Sequence, residues 1–126
     1  MNIALWIVTT LLALVFLASG ALKLVSSNER LAASGMGWVD AFGTSGVKTI
    51  GILEVLGAAG LILPAILDVA PVLVPIAAVG TGLLMLGAIV THARRREPQG
   101  IAVSAVLLVL SLVVIVGRFA LVPFGG

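Results

Sequence analysis

Three ionisable side chains stand inside or at the edge of long apolar runs: Lys23, Glu54 and His92. An ammonium, a carboxylate and an imidazole brought together make a polar site able to hold the head of a lipophilic molecule. Ser19 and Thr91 add hydroxyls to the set. On a 3.6-residue helix Phe16, Ser19, Gly20 and Lys23 share one face, and Thr91 directly precedes His92. A carboxylate at the centre of a membrane span costs about 2.5–3.5 kcal/mol, and less nearer the edge. An opposite charge at ~4 Å returns up to about 4 kcal/mol at an effective dielectric near 20, before its own desolvation is set against it. These magnitudes predict a Glu54 that is paired or neutralised. The long stem of Lys23 reaches it as easily as it reaches water.

Each of these residues also has a purely structural reading. Glu54 and Lys23 can lock two helices together. His92 can cap carbonyls at the negative end of its helix. Lys48 and Arg118 read as anchors that snorkel at span ends. One Glu and one His fall short of the three or four ligands a metal site needs, so no metal site is predicted. No acid–base dyad, nucleophile elbow or dinucleotide fingerprint appears, and the absence of cysteine excludes disulfides, thiolate metal sites and iron–sulfur ligation. Chemistry by this chain alone is not expected.

The elements that must position these groups follow from composition. Of 126 residues, 61 % are hydrophobic and 10 % charged, against roughly a quarter charged in soluble domains. So few polar residues cannot cover a surface in water, and the surface must face lipid. One domain, 1–126, is predicted: an all-α, four-helix transmembrane bundle with spans at about 3–25, 47–67, 71–92 and 101–122, each long enough for a core of roughly 30 Å. Between the first two spans, Asn28-Glu29-Arg30-Leu31 opens a short helix capped by Ser27 or Asn28. Gly35, Gly37, Gly43 and Gly46 then interrupt regular structure, and Met36, Trp38, Val39 and Phe42 suit either an interfacial segment or a lid over the bundle end. Pro71 and Pro75 fall in the first turn or so of the third span, where a missing N–H costs little. The apolar start is read as a span and not a cleavable leader, because no Lys or Arg precedes it.

Charge orients the bundle. Lys23, Arg30, Lys48, Arg94, Arg95 and Arg96 fall on one side and Arg118 on the other, so both termini are expected to face away from the cytoplasm (N-out/C-out). Arg94–Arg96 read as a topology signal or a contact for lipid headgroups, not as a nucleic-acid surface. Apolar side chains gain little by leaving lipid for one another, so helix association is expected at small residues. Gly51, Gly57, Ala58 and Gly60 are expected to pack span two backbone-to-backbone against Gly80, Gly82, Gly87 and Ala88 of span three, with Gly20 forming a notch on span one. Homo-oligomers and membrane or cytoplasmic protein partners are left open.

Gly20-x-x-Lys23-Leu24, Gly51-x-x-Glu54-x-x-Gly57-x-x-Gly60-Leu61-x-Leu63-Pro64 and Gly87-Ala88-x-x-Thr91-His92-x-Arg94 together resemble the DoxX-like membrane proteins. The resemblance implies a four-helix bundle in the bacterial inner membrane. It also implies a place as a subunit of a membrane oxidoreductase that passes electrons to quinone, or as an assembly or cargo factor. Carried over by that pattern, Lys23, Glu54 and His92 form the candidate site. The expected function is a binding or accessory subunit holding a quinone or other lipophile near Glu54. The alternatives are a non-catalytic assembly or chaperone-like partner and, with only scattered hydroxyls to support it, a small transporter.

Overall fold

A computed structural model describes residues 2–33, 37, 39–70 and 72–121. The expectations placed on Gly35, Met36, Trp38, Pro71 and residues 122–126 lie outside those. Every regular element among the described residues is helical. α1 is Asn2–Val25, α2 Asn28–Ala33, α3 Val39–Leu67, α4 Leu73–Arg94 and α5 Pro98–Val116, which continues as one π-helical turn over Gly117–Leu121. Four stretches are long and apolar enough to cross a membrane: Asn2–Val25, Phe42–Leu67, Leu73–Arg94 and Pro98–Ala120. Only 22–33 % of each span is buried inside the bundle, so most of its apolar surface needs lipid as its solvent.

The helices form a ring in the order α1–α3–α4–α5, with α1 packed chiefly on α3 and α4 chiefly on α5. One apolar core runs through it, centred on Leu12, Phe16, Leu61, Val74, Ala78 and Val114. A second, small cluster of Leu31, Val39 and Val47 docks α2 onto the start of α3. Ser27 is the N-cap of α2: its Oγ accepts from the Arg30 N–H at 3.2 Å.

α3 begins earlier than the periodicity suggests, because Gly46 does not break it. Gly43 does. Its φ of 70° and ψ of 175° lie in a region that only glycine enters readily, and the chain kinks there between Val39 and the span proper. Both hairpin turns within the bundle end a helix with a non-glycine residue in the left-handed region. Asp68 (φ 53°) follows α3, where the Val69 N–H reaches the Pro64 carbonyl at 3.0 Å. Arg96 (φ 56°) follows α4, where the Glu97 N–H reaches the His92 carbonyl at 2.9 Å and the Arg96 N–H the Ala93 carbonyl at 3.2 Å. The second pair is a full Schellman closure that returns carbonyls of the last turn to satisfied bonds.

Close packing uses the glycines unevenly. A Cβ on Gly20 would stand 2.7 Å from the Gly51 carbonyl oxygen, one on Gly57 2.9 Å from Thr81 Cγ2, and one on Gly60 2.8 Å from Ala77 Cβ. These are helix contacts that no larger residue permits. Gly51, Gly80 and Gly87 correct the expectation: Gly51 meets Gly20, Lys23 and Leu24 of α1 and not the third span, a Cβ at Gly80 or Gly87 meets nothing within 4 Å among the described residues, and Gly82 faces Leu108 and Ser111 of α5 at 3.7 Å and not α3. Small residues lie all around α4, so composition does not say which of its faces α3 will choose.

Candidate functional site

Lys23 and Glu54 meet. Nζ of Lys23 lies 2.8 Å from Glu54 Oε1 and also donates to Ser19 Oγ at 2.5 Å, one helical turn back. Only 6 % of Lys23 and 3 % of Glu54 is exposed, so the pair is sealed between α1 and α3. The adjacent Gly20–Gly51 contact explains how: with no side chain on either, the two helices come close enough for the charges to touch. Lys48 reinforces the same end. Its Nζ donates to the carbonyls of Lys23 (2.7 Å), Leu24 (3.1 Å) and Ser26 (2.7 Å), capping the orphan C-terminal carbonyls of α1. It is a tie between helices, in place of the expected snorkelling anchor.

His92 and Thr91 belong elsewhere. Gly57 faces Thr81 and Gly60 faces Ala77, so the antiparallel register sets Glu54 level with Leu84 and Met85. His92 lies two turns further along α4, about 10 Å away along the axis. Its Nδ1–H donates to Glu97 Oε1 at 3.0 Å, and Arg95 Nε approaches the same oxygen at 3.3 Å. The hydrogen bond from His92, with the charge of Arg95 beside it, holds the Glu97 carboxyl below its ordinary range. Thr91 Oγ1 donates back to the Gly87 carbonyl at 2.9 Å. Gly100 makes room for the imidazole, since a Cβ there would collide with the ring. Arg94, Arg95 and Arg96 are exposed at this same end, and Gly37 of the first connection packs beside Arg95 Nη2.

At the opposite end Arg118, in the π-helical turn, is 3 % exposed. Its Nη1 donates to Asn2 Oδ1 at 2.7 Å, and the guanidinium stands 6.0 Å from the centre of the Trp6 ring. The expected snorkelling arginine is instead a buried link from α5 to the start of α1. No local pattern announces this, because its partners lie at the other terminus of the chain. Gly117 permits the close approach of α5 to α1, since a Cβ there would stand 2.5 Å from Leu5 Cδ2.

Between α1 and α3, outward of the ion pair, lies an apolar groove of about 440 Å³. Trp6, Thr10 and Leu17 line it from α1, and Val55, Ala59 and Ile66 from α3. The Glu54 carboxylate is not part of its wall, although Val55 beside it is. Chain periodicity conceals this groove, since its lining reads as ordinary lipid-facing residues.

The model of the DoxX-like family matches residues 7–114, from within α1 to within α5. The chain matches no curated protein and no solved structure.

Proposed function

This chain belongs to the DoxX-like family, and from that premise we propose that it is a membrane-embedded binding or accessory subunit that holds a lipophilic molecule, of quinone type or similar, between α1 and α3. The observation that carries the reading is the apolar groove, which lies along α1 and α3 beyond the close Gly20–Gly51 contact. The sealed Lys23–Glu54–Ser19 cluster is the pivot that keeps the two helices together at one end while they leave room at the other. With the arginine-bearing end in the cytoplasm, as positive residues in short connections favour, the groove occupies the far half of a bacterial inner membrane.

The test is chemical. A prenyl- or acyl-chain probe with a photoreactive diazirine in its tail, added to the protein in nanodiscs, should label residues between Thr10 and Leu17 and between Val55 and Ile62 in a saturable way. Ala59→Phe fills the groove and should abolish that labelling. Even, non-saturating labelling over all lipid-facing residues would remove the proposal.

One observation favours a second reading, an assembly partner whose Lys23–Glu54 pair is only a lock: both charges are closed off and satisfied by each other. Under it, a double apolar replacement of the pair leaves every function of the protein intact.

A further inference from the structure

We infer that the turn between α4 and α5 is a seat for one anionic phospholipid, whose phosphate is held by Arg94 and Arg96 while its acyl chain lies on the lipid-facing side of α4. The groove between α1 and α3 has no part in it.

Depth places the arginines. α4 has 22 residues, about 33 Å at 1.5 Å per residue, against a hydrocarbon core of roughly 30 Å. Its last residue, Arg94, therefore emerges at the level of the phosphates. Exposure along the helix repeats through Leu83, Leu86, Val90 and Arg94, the three- and four-residue spacing of a single face. The guanidinium of Arg94 thus continues the stripe of α4 that acyl chains cover.

The helix end does not need these cations for itself. At the end of α1, Lys48 is taken up by orphan carbonyls. α4 closes without such help: the carbonyls of Thr91, His92 and Ala93 accept from the backbone N–H groups of Arg95, Glu97 and Arg96. The acid of the turn, Glu97, is engaged by His92 at 3.0 Å and by Arg95 at 3.3 Å. Among the described residues no carboxylate pairs with Arg94 or Arg96, and both are exposed. Arg96 also occupies a left-handed position (φ 56°) that glycine would take at less cost. A long cation carried there contributes something other than backbone geometry.

The chemistry selects the partner. A guanidinium binds phosphate oxygens through two N–H groups at once. Phosphatidylcholine offers a phosphate too, but its own ammonium offsets the charge, so a lipid with net negative charge is preferred. An acidic protein segment would gain nothing from a site level with the phosphates and continuous with an acyl-facing stripe. Each arginine near an anionic lipid contributes about fivefold in affinity.

The test titrates the detergent-solubilised protein with phosphatidylglycerol or phosphatidylcholine and reads bound lipid by native mass spectrometry. One phosphatidylglycerol should bind roughly 25-fold tighter than phosphatidylcholine, the product of two arginines. Arg94→Gln should weaken it about fivefold. Arg96→Gly should do the same while leaving the thermal midpoint unchanged or higher, because glycine suits the left-handed backbone, so misfolding cannot account for the loss. Arg95→Gln should change binding less than twofold, since Glu97 already holds that side chain. Glu97→Gln releases Arg95 and should tighten binding. Equal affinity for the two lipids, or a preference indifferent to Arg94→Gln and Arg96→Gly, would overturn the proposal. An equal loss in Arg95→Gln would reveal a diffuse positive field and overturn the assignment to Arg94 and Arg96. Displacement of the lipid by a soluble polyglutamate peptide, with the same dependence on both arginines, would overturn the lipid in favour of an acidic protein partner.

Discussion

The two most extensively packed helix pairs of the bundle are held by different chemistry. α1 and α3 are joined by a full ion pair, Lys23–Glu54 at 2.8 Å. α4 and α5 are joined by two hydroxyls, Thr81 and Ser111, at 2.9 Å. Thr81 also bonds the Ala78 carbonyl at 3.0 Å and Ser111 the Leu107 carbonyl at 3.0 Å. Each hydroxyl is therefore satisfied within its own helix and its cross-helix bond is a supplement. Lys23 likewise has Ser19 within its own helix, whereas the Glu54 carboxylate is held across the interface by Lys23. Packing carries the α4/α5 contact, with the hydroxyl bond only beside it. A charged pair at the α1/α3 contact is thus more than adhesion requires, and it stands beside the groove.

The largest effect tests that asymmetry. Lys23→Met leaves an uncompensated buried carboxylate and should lower unfolding stability by about 3–5 kcal/mol, and adding Glu54→Leu should restore most of it. Denaturant titration of the purified protein gives both numbers. A single variant as stable as the parent would show that the pair contributes nothing to the α1/α3 contact. A stable double variant that has lost ligand labelling would separate the pivot from adhesion and exclude the simple lock.

Next in size is the backbone contact beneath the pair. Gly20→Ala places a methyl against the Gly51 carbonyl, which cannot yield as a side chain would, and should cost about 1–3 kcal/mol. Gly87→Ala is its control. No described atom lies within 4 Å of a methyl at that position, so better helix propensity should leave stability unchanged or raise it by up to about 1 kcal/mol. Equal losses at the two glycines would contradict the assigned packing faces.

On the α4/α5 side, Thr81→Val should cost only about 0.6 kcal/mol, the average for a hydrogen bond between membrane helices. A loss comparable to that of Lys23→Met would erase the distinction between the two contacts.

The smallest effect is local to the α4–α5 turn. The Glu97 carboxyl titrates below its ordinary value in the folded state, chiefly because His92 donates to it. Its contribution is therefore complete above the usual glutamate range near pH ~4.3 and disappears as pH falls through the lowered folded value. Amide exchange over residues 94–100, corrected for the intrinsic rate, should accelerate below that range and lose the pH dependence in Glu97→Gln.

Much of this is legible in the residues. Magnitude asks that Glu54 be paired or neutralised and Lys23 is within reach of it, while spacing marks Gly20, Gly51, Gly57 and Gly60 as contact positions. His92 joins them in the sequence because it ends a similar apolar helix, and the α3/α4 register then separates it. Lys48 and Arg118 read as surface anchors because a long cationic side chain at a span end looks the same whether it reaches water or a neighbouring helix.

The spans, their number and the need for a partner at Glu54 are settled by local chemistry. Lipid offers no hydrogen bonds, so each apolar run must become a helix and each buried charge must find a polar partner or lose its charge. The faces that meet, the depth of each polar residue and the groove beside Val55 are decided only in three dimensions. Apolar side chains look alike to lipid and to each other, so hydropathy carries no record of which helix stands next to which. That choice falls to a handful of missing Cβ atoms, and their consequences appear only when two backbones touch.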